Sequence, residues 1–279
     1  MSTTQTPIYR KLLNRLLELW REIKDRVELR LLIALLLIGL GFWLFIALAD
    51  EVVEGDTRTF DEAILLALRN PADPSDPLGP PWLEEMGRDY TALGGTAVVG
   101  LVTGVTCLYL ALARRWTMFW LVLLVVAGSQ GLNSLLKLGF HRPRPDLVPH
   151  GMIVYHASFP SGHAMVSASV YLTLGVLLAR RQKYRFQAAL IMGTAILVTV
   201  LVGISRVYLA VHWPSDVLAG WIAGSIWAGV VALFIWQLRE YRRYGKTPQH
   251  DVNPTVLEPV AQPADEPHPL EQAKVTEPE

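Results

Sequence analysis

Three short segments hold the side chains best suited to act as nucleophiles, acids or anion ligands. The first runs Lys137-Leu-Gly-Phe-His141-Arg142-Pro143-Arg144-Pro145. The second is Pro160-Ser161-Gly162-His163, and the third runs from Ser205-Arg206 to His212-Trp213-Pro214-Ser215-Asp216. Lys137, Arg144 and Arg206 are fixed cations. Arginine offers a planar fork that matches phosphate oxygens two at a time, and lysine adds a point charge. Pro160-Ser161-Gly162 reads as a helix start. Backbone N–H groups there bind anions, and a glycine lets a phosphate approach closely. The set describes a pocket for a phosphoryl group. No acidic cluster accompanies it to hold Mg²⁺, so neither a metal nor another cofactor is expected, and the cations must replace the ion. His212 and Asp216 lie four apart at a helix mouth marked by Pro214. A carboxylate on one ring nitrogen fixes the tautomer and makes the other nitrogen more nucleophilic. That assigns His212 as nucleophile and Asp216 as its orienter. His163 remains to protonate the leaving oxygen and then activate water.

These residues need elements to hold them. The chain has 279 residues, of which 52% are hydrophobic and only 18% charged. Soluble domains carry about a quarter charged residues, so the composition argues against a soluble enzyme, a disordered chain or a nucleic-acid binder. Six uncharged apolar runs stand out: 31–49, 91–113, 116–136, 164–179, 186–205 and 217–238. A spanning helix needs about 20 such residues, and in lipid the backbone must satisfy itself, which favours helices. The run from Ala164 is short and is expected to complete its span with the polar residues before it. The expected fold class is therefore all-α, a polytopic six-transmembrane-helix bundle with an N-terminal amphipathic helix. Its parts are residues 1–30, an amphipathic helix; 31–240, the membrane domain; and 247–279, an acidic Pro-rich tail expected to be disordered.

Charge sets the orientation. Basic clusters precede run one and follow runs two, four and six, which places both termini in the cytoplasm. The tail from Thr247 holds seven acidic residues and one Lys, so the remainder carries 24 Lys/Arg against 18 Asp/Glu, a net of +6 hidden by the zero total. The outer segment 50–90 is acidic, with a short helix expected at Thr59–Leu68 and a Pro-rich stretch at Pro71–Pro81. The two other outer segments are basic, against the simple rule. Run one is too long for a cleaved leader and is expected to stay as a signal anchor. Residues Ile8–Glu28 pattern as an amphipathic helix, either on the inner membrane surface or extending span one. The single Cys107 precludes an intramolecular disulfide. Singly, the polar residues have plainer readings: Lys137 could snorkel, Arg142 and Arg144 could face headgroups, His163 could be a satisfied interfacial histidine, and Trp213 could be a belt residue. Their convergence on one side favours function, because ionisable groups near a membrane are costly.

The three segments match K-x6-R-P, P-S-G-H and S-R-x5-H-x3-D, and in this the sequence resembles the type 2 phosphatidic acid phosphatase family, whose superfamily includes the vanadium haloperoxidases. The match covers roughly residues 90–240. The resemblance implies a metal-independent phosphatase of the bacterial inner membrane that works through a phosphohistidine at the outer leaflet. It implies phosphate ligands at Lys137, Arg144, Ser161, Gly162 and Arg206, the nucleophile His212 supported by Asp216, and His163 as acid and base. The basic outer segments would then be substrate ligands. Arg142 stands at the wrong distance from Lys137 for the pattern, which leaves it a headgroup or supporting role. The expected partners are a lipid phosphate substrate and membrane lipids, with no nucleic acid and an open oligomeric state. Undecaprenyl diphosphate, phosphatidic acid, phosphatidylglycerophosphate and lipid A phosphates are all candidates, with a broad lipid (pyro)phosphatase first. A lipid A phosphatase or phosphotransferase, a vanadate-holding haloperoxidase, a transporter and a phosphatase-like protein without catalysis are the alternatives. Lipid entry is expected through a gap between spans beside the segment 137–163.

Overall fold

The computed structural model describes residues 13–15, 29–148 and 157–244. The amphipathic stretch 8–28 lies outside the described residues except for a helical turn at 13–15, and so does the tail 247–279. Among the described residues the order is α1 (Leu29–Glu54), α2 (Arg58–Ala67), β1 (Arg69–Asn70), β2 (Asp73–Pro77), α3 (Pro81–Leu93), α4 (Thr96–Leu112), α5 (Trp116–Phe140), α6 (Gly162–Ala179), α7 (Arg185–Tyr208) and α8 (Pro214–Tyr244). Helices α1, α5, α6, α7 and α8 are each long and apolar enough to cross a membrane. Helices α3 and α4 make a sixth only if taken together, because they bend by 45° between Leu93 and Thr96. The protein is thus a mostly helical, multi-pass membrane protein.

One expectation needs correction. The second span is not one straight helix. Gly94 and Gly95 interrupt it, since adjacent glycines are poor helix formers. A side chain at Gly94 would also meet the His163 backbone oxygen at 3.1 Å. The break therefore brings the backbone of this span against the start of α6. The Pro-rich stretch has a structure of its own. It folds into a small antiparallel hairpin, with Arg69 opposite Pro77 and Asn70 opposite Asp73. Side-chain oxygens shape its turns: Asn70 Oδ1 accepts from the Ala72 N–H at 3.1 Å, and Asp73 Oδ1 from the Ser75 N–H at 3.0 Å. Proline is tolerated because each strand has a free edge.

The bundle packs along one main seam. Val99, Cys107 and Leu110 of α4 join Val122 and Val125 of α5, Val166 and Val170 of α6, and Val231 and Ile235 of α8. A smaller aromatic cluster of Phe45, Phe140 and Phe159, with ring centroids 4.8–6.5 Å apart, underlies the segment leading into α6. Helices α6 and α8 meet closely at Gly220, where a Cβ would lie 2.7 Å from the Ser161 carbonyl oxygen and 2.9 Å from Ala164 Cβ. Connectivity puts the C-terminal ends of α5 and α7 beside the N-terminal ends of α6 and α8. Arg114, Arg115, Arg180 and Arg181 lie at the opposite helix ends.

Gly220→Leu is expected to force α6 and α8 apart and lower the thermal midpoint in detergent, at a cost of about 1–3 kcal/mol or more. Gly193→Ala, which meets nothing within 4 Å, is expected to leave the midpoint within experimental scatter. Equal midpoints for the two variants would show that the close approach does not matter.

Candidate active site

Helix α5 ends with Lys137 in its last turn and a left-handed residue, His141 (φ 46°), as its C-cap. That turn throws the chain across the helix ends as an extended segment carrying Arg142 and Arg144. Past residues 149–156, which lie outside the described residues, Ser158 to Ser161 lead into α6. Two interactions fix this approach: the Ser161 N–H donates to the Asp216 carbonyl oxygen at 3.0 Å, and Asn133 Nδ2 donates to the Pro160 carbonyl at 3.3 Å. A Cβ at Gly162 would lie 2.9 Å from Asn133 Oδ1, so any side chain there would have to displace that amide. The first N–H groups of a helix have no intrahelical partner. The buried Ser161 hydroxyl also lacks a hydrogen-bond partner and stands at the same helix start. Helix α7 ends with Arg206, which is buried and donates to Thr91 Oγ1 at 3.0 Å. The loop after α7 carries His212 to Asp216 at the start of α8.

The eight expected site residues come together. Lys137, Gly162 and His163 line a cavity of about 660 Å³, along with Asn133, His141 and Gly94. Lys137, Arg144 and Arg206 all lie within electrostatic reach of His163, as does the His212 ring. Behind them His212 is buried. Its Nδ1 faces Asp216 Oδ2 at 3.4 Å, and Arg144 Nη1 stands 3.2 Å from its Nε2. A guanidinium can only donate, so Nε2 is the unprotonated nitrogen and Nδ1 carries the hydrogen toward Asp216. That is the tautomer a nucleophilic Nε2 needs. Burial outweighs the pull of Asp216 and pushes the His212 imidazole down to about 3. The ring is therefore neutral at physiological pH.

Asp216 is fully buried and heavily bonded. Its Oδ2 accepts from the Trp213 N–H at 2.9 Å and from the Ser158 hydroxyl. Its Oδ1 accepts from Arg142 Nη1 at 2.7 Å. Arg142 is thus no headgroup ligand but a supporting residue: its Nη2 donates to Asp61 Oδ2 at 2.8 Å and Thr57 Oγ1 at 3.1 Å. Trp213 is no belt residue either. It is buried, donates from Nε1 to the Pro143 carbonyl at 3.1 Å, and lies under the Arg142 guanidinium at 5.7 Å. Counting formal charges, Asp61 and Asp216 against Arg142 leave −1, and Lys137, Arg144 and Arg206 add +3. The net of +2 suits a phosphoryl dianion.

The sequence pattern missed Asp61, Ser158, Asn133 and Arg69. Buried Arg69, on the hairpin, donates from Nη2 to the Tyr208 carbonyl at 2.6 Å and holds the end of α7. Asn133 had a signal: an amide inside an apolar span, four before Lys137 and so on the same helix face. Asp61 and Ser158 had none, since one reads as an ordinary first-turn acid of α2 and the other as a loop serine. Among the described residues no group of three His, Cys, Asp or Glu gathers in a way that could hold a metal.

A family profile described as PAP2 superfamily matches residues 118–240. Phosphatidylglycerophosphatase B of Bacillus subtilis is 32% identical over 209 residues, covering 72% of this chain and 96% of its own length. Undecaprenyl-diphosphatase of Sulfolobus acidocaldarius is 42% identical over 147 residues, covering 52% of this chain and 63% of its own. The crystal structure of a transmembrane PAP2 type phosphatidylglycerolphosphate phosphatase from Bacillus subtilis superposes with a TM-score of 0.64 at 30% identity, covering 74% of this chain and 98% of that one.

The depressed His212 basicity has a direction that can be checked. The unfolded chain takes up this proton near pH 6.5 and the folded one only near 3. Between those values the unfolded state binds more protons, so this group lowers folded stability as pH falls through the window. Imidazole ¹⁵N resonances of His212 are expected to report the neutral Nδ1–H tautomer down to about pH 4.5. A titration centred near 6.5 would contradict the burial.

Proposed function

This chain belongs to the PAP2 superfamily as a membrane lipid phosphatase, and we propose that it releases phosphate from lipid mono- and diphosphates through a phosphohistidine on His212. The observation that carries this reading is the buried, neutral His212. Asp216 faces its Nδ1 and Arg144 its Nε2, within a site of net +2. Lys137, Arg144, Arg206, the Ser161 hydroxyl and the N–H groups opening α6 hold the phosphoryl oxygens. His212 Nε2 attacks phosphorus, and the bond to the lipid oxygen breaks as His163 gives that oxygen its proton. Neutral His163 then takes a proton from water. The resulting hydroxide attacks phosphorus, the P–N bond breaks, and inorganic phosphate leaves with His212 restored. A positioned general acid is worth about 10²–10⁴-fold in rate. The site's cations stabilise the charge spread over the equatorial oxygens, the task a metal ion performs in other phosphoryl-transfer sites.

The names of the similar proteins put phosphatidylglycerophosphate and undecaprenyl diphosphate first in the substrate range, and the motif resemblance adds phosphatidic acid. The ligand set grips a phosphoryl group and the cavity leaves the remainder of the lipid loosely defined, which supports broad specificity. The arginines at the far helix ends support a cytoplasmic placement for that side and an outward-facing site in the inner membrane. The cavity between α4, α5 and α6, beside the segment 137–163, is where the lipid enters.

Phosphate release by the detergent-purified protein from a panel of these lipids is expected to persist in EDTA and to vanish in His212→Ala. His163→Ala is expected to lose about 10²–10⁴-fold in kcat while still binding substrate. Activity that EDTA abolishes, or that survives in His212→Ala, would sink the mechanism.

A further inference from the structure

Asp61 lies far from the catalytic segments in sequence, on the outer helix α2 and outside the residues that the family profile matches. It is nonetheless fully buried at the start of α8. Its Oδ1 accepts the Ser215 N–H at 2.8 Å, and its Oδ2 accepts the Ser215 hydroxyl at 2.6 Å and Arg142 Nη2 at 2.8 Å. Arg142 Nη1 reaches the same Ser215 hydroxyl and Asp216 Oδ1, both at 2.7 Å. One guanidinium is thus divided between two carboxylates, one arm each. The two oxygens of Asp216 are divided as well: Oδ1 is held by Arg142, and Oδ2 faces His212.

An arginine offered a single carboxylate tends to take both its oxygens in a parallel fork. Were Asp61 uncharged, Asp216 would be the one carboxylate bonded to Arg142, and both Asp216 oxygens would be drawn to it. Oδ2 would then be pulled from His212 Nδ1 against the hold of the Trp213 N–H and the Ser158 hydroxyl, and the already long 3.4 Å contact that fixes the ring's tautomer would weaken. We propose that Asp61 is a positioning residue for the hydrolytic reaction: by holding one arm of Arg142 it keeps Asp216 Oδ2 on His212, so that helix α2 is part of the catalytic apparatus. Neither Asp61 nor Arg142 lines the cavity that Lys137 and His163 line. The inference rests on the reading of His212 as nucleophile.

The test is steady-state kinetics in detergent with a lipid phosphate, alongside competitive inhibition by inorganic phosphate and the thermal midpoint. Asp61→Asn keeps the shape and removes the charge. It is expected to lower kcat by about 10–100-fold, as loss of a supporting partner commonly does, while KM and the phosphate inhibition constant stay within threefold. Because Asp61 acts through Arg142, the double variant Asp61→Asn with Arg142→Met is expected to be no slower than Arg142→Met alone. A kcat for Asp61→Asn within twofold of the parent, with His212→Ala inactive, overturns this inference and leaves the nucleophile standing. Turnover in His212→Ala overturns both. Parallel losses of kcat, phosphate affinity and thermal midpoint in Asp61→Asn, or additive losses in the double variant, reduce Asp61 to a structural role and also overturn it. If Arg142→Met does not fold, the split between kcat and phosphate inhibition in Asp61→Asn decides alone.

Discussion

A carboxylate taken out of water must be surrounded by donors or it will not stay charged, and Asp216 sets that requirement at the centre of this protein. Removing such an ion from water costs several kcal/mol even after relaxation. Donors come from the Trp213 backbone, Ser158 and Arg142, with His212 alongside. They arrive from the segment after α5, the segment before α6 and the loop before α8. Satisfying one buried charge therefore locks three chain segments together. The same residue also acts through its backbone, since its carbonyl accepts the Ser161 N–H and aligns the opening of α6. Chemistry and fold share a single point of support.

Around that point the electrostatics have a simple sense. The positive N-terminal ends of α6 and α8 meet the negative C-terminal ends of α5 and α7, so the helix ends largely offset one another and the side chains set the sign. Lys137, Arg144 and Arg206 make it positive, and Arg206 is held in place by Thr91 from the bent span. Cations packed this closely repel one another, and the network of Asp61, Arg142 and Asp216 offsets only part of that. An anionic headgroup would supply the compensating negative charge, so ligand charge would contribute to the stability of the site as well as to its chemistry.

Much of this could be read from the residues. Spacing located His163, His212 and Asp216, and the apolar runs located the helices, because lipid allows few other solutions. Span four did start at its polar end, at Gly162, as its shortness implied. The break at Gly94 was not legible, since glycines are common in membrane helices and the reason for these two lies in the later His163 backbone. Arg142 was ambiguous for a related reason. Its partner Asp61 lies 81 residues earlier, and no periodicity links an outer-loop acid to a distant arginine. The hairpin escaped notice because its prolines argue against strands wherever a sheet has more than two. Local rules found the groups proposed to react, while the groups that hold them came from contacts long in sequence.

The resting contact between Arg144 and His212 Nε2 has a further meaning for selectivity. A lone pair covered by a guanidinium is shielded from neutral electrophiles, which give the cation no reason to leave. A dianionic phosphoryl group competes for the same donors and uncovers the nitrogen as it binds. On the proposed mechanism, discrimination would be made by charge at the door rather than by the fit of the tail. An enzyme working by the proposed mechanism would accept many lipid phosphates and still ignore the esters of the surrounding bilayer.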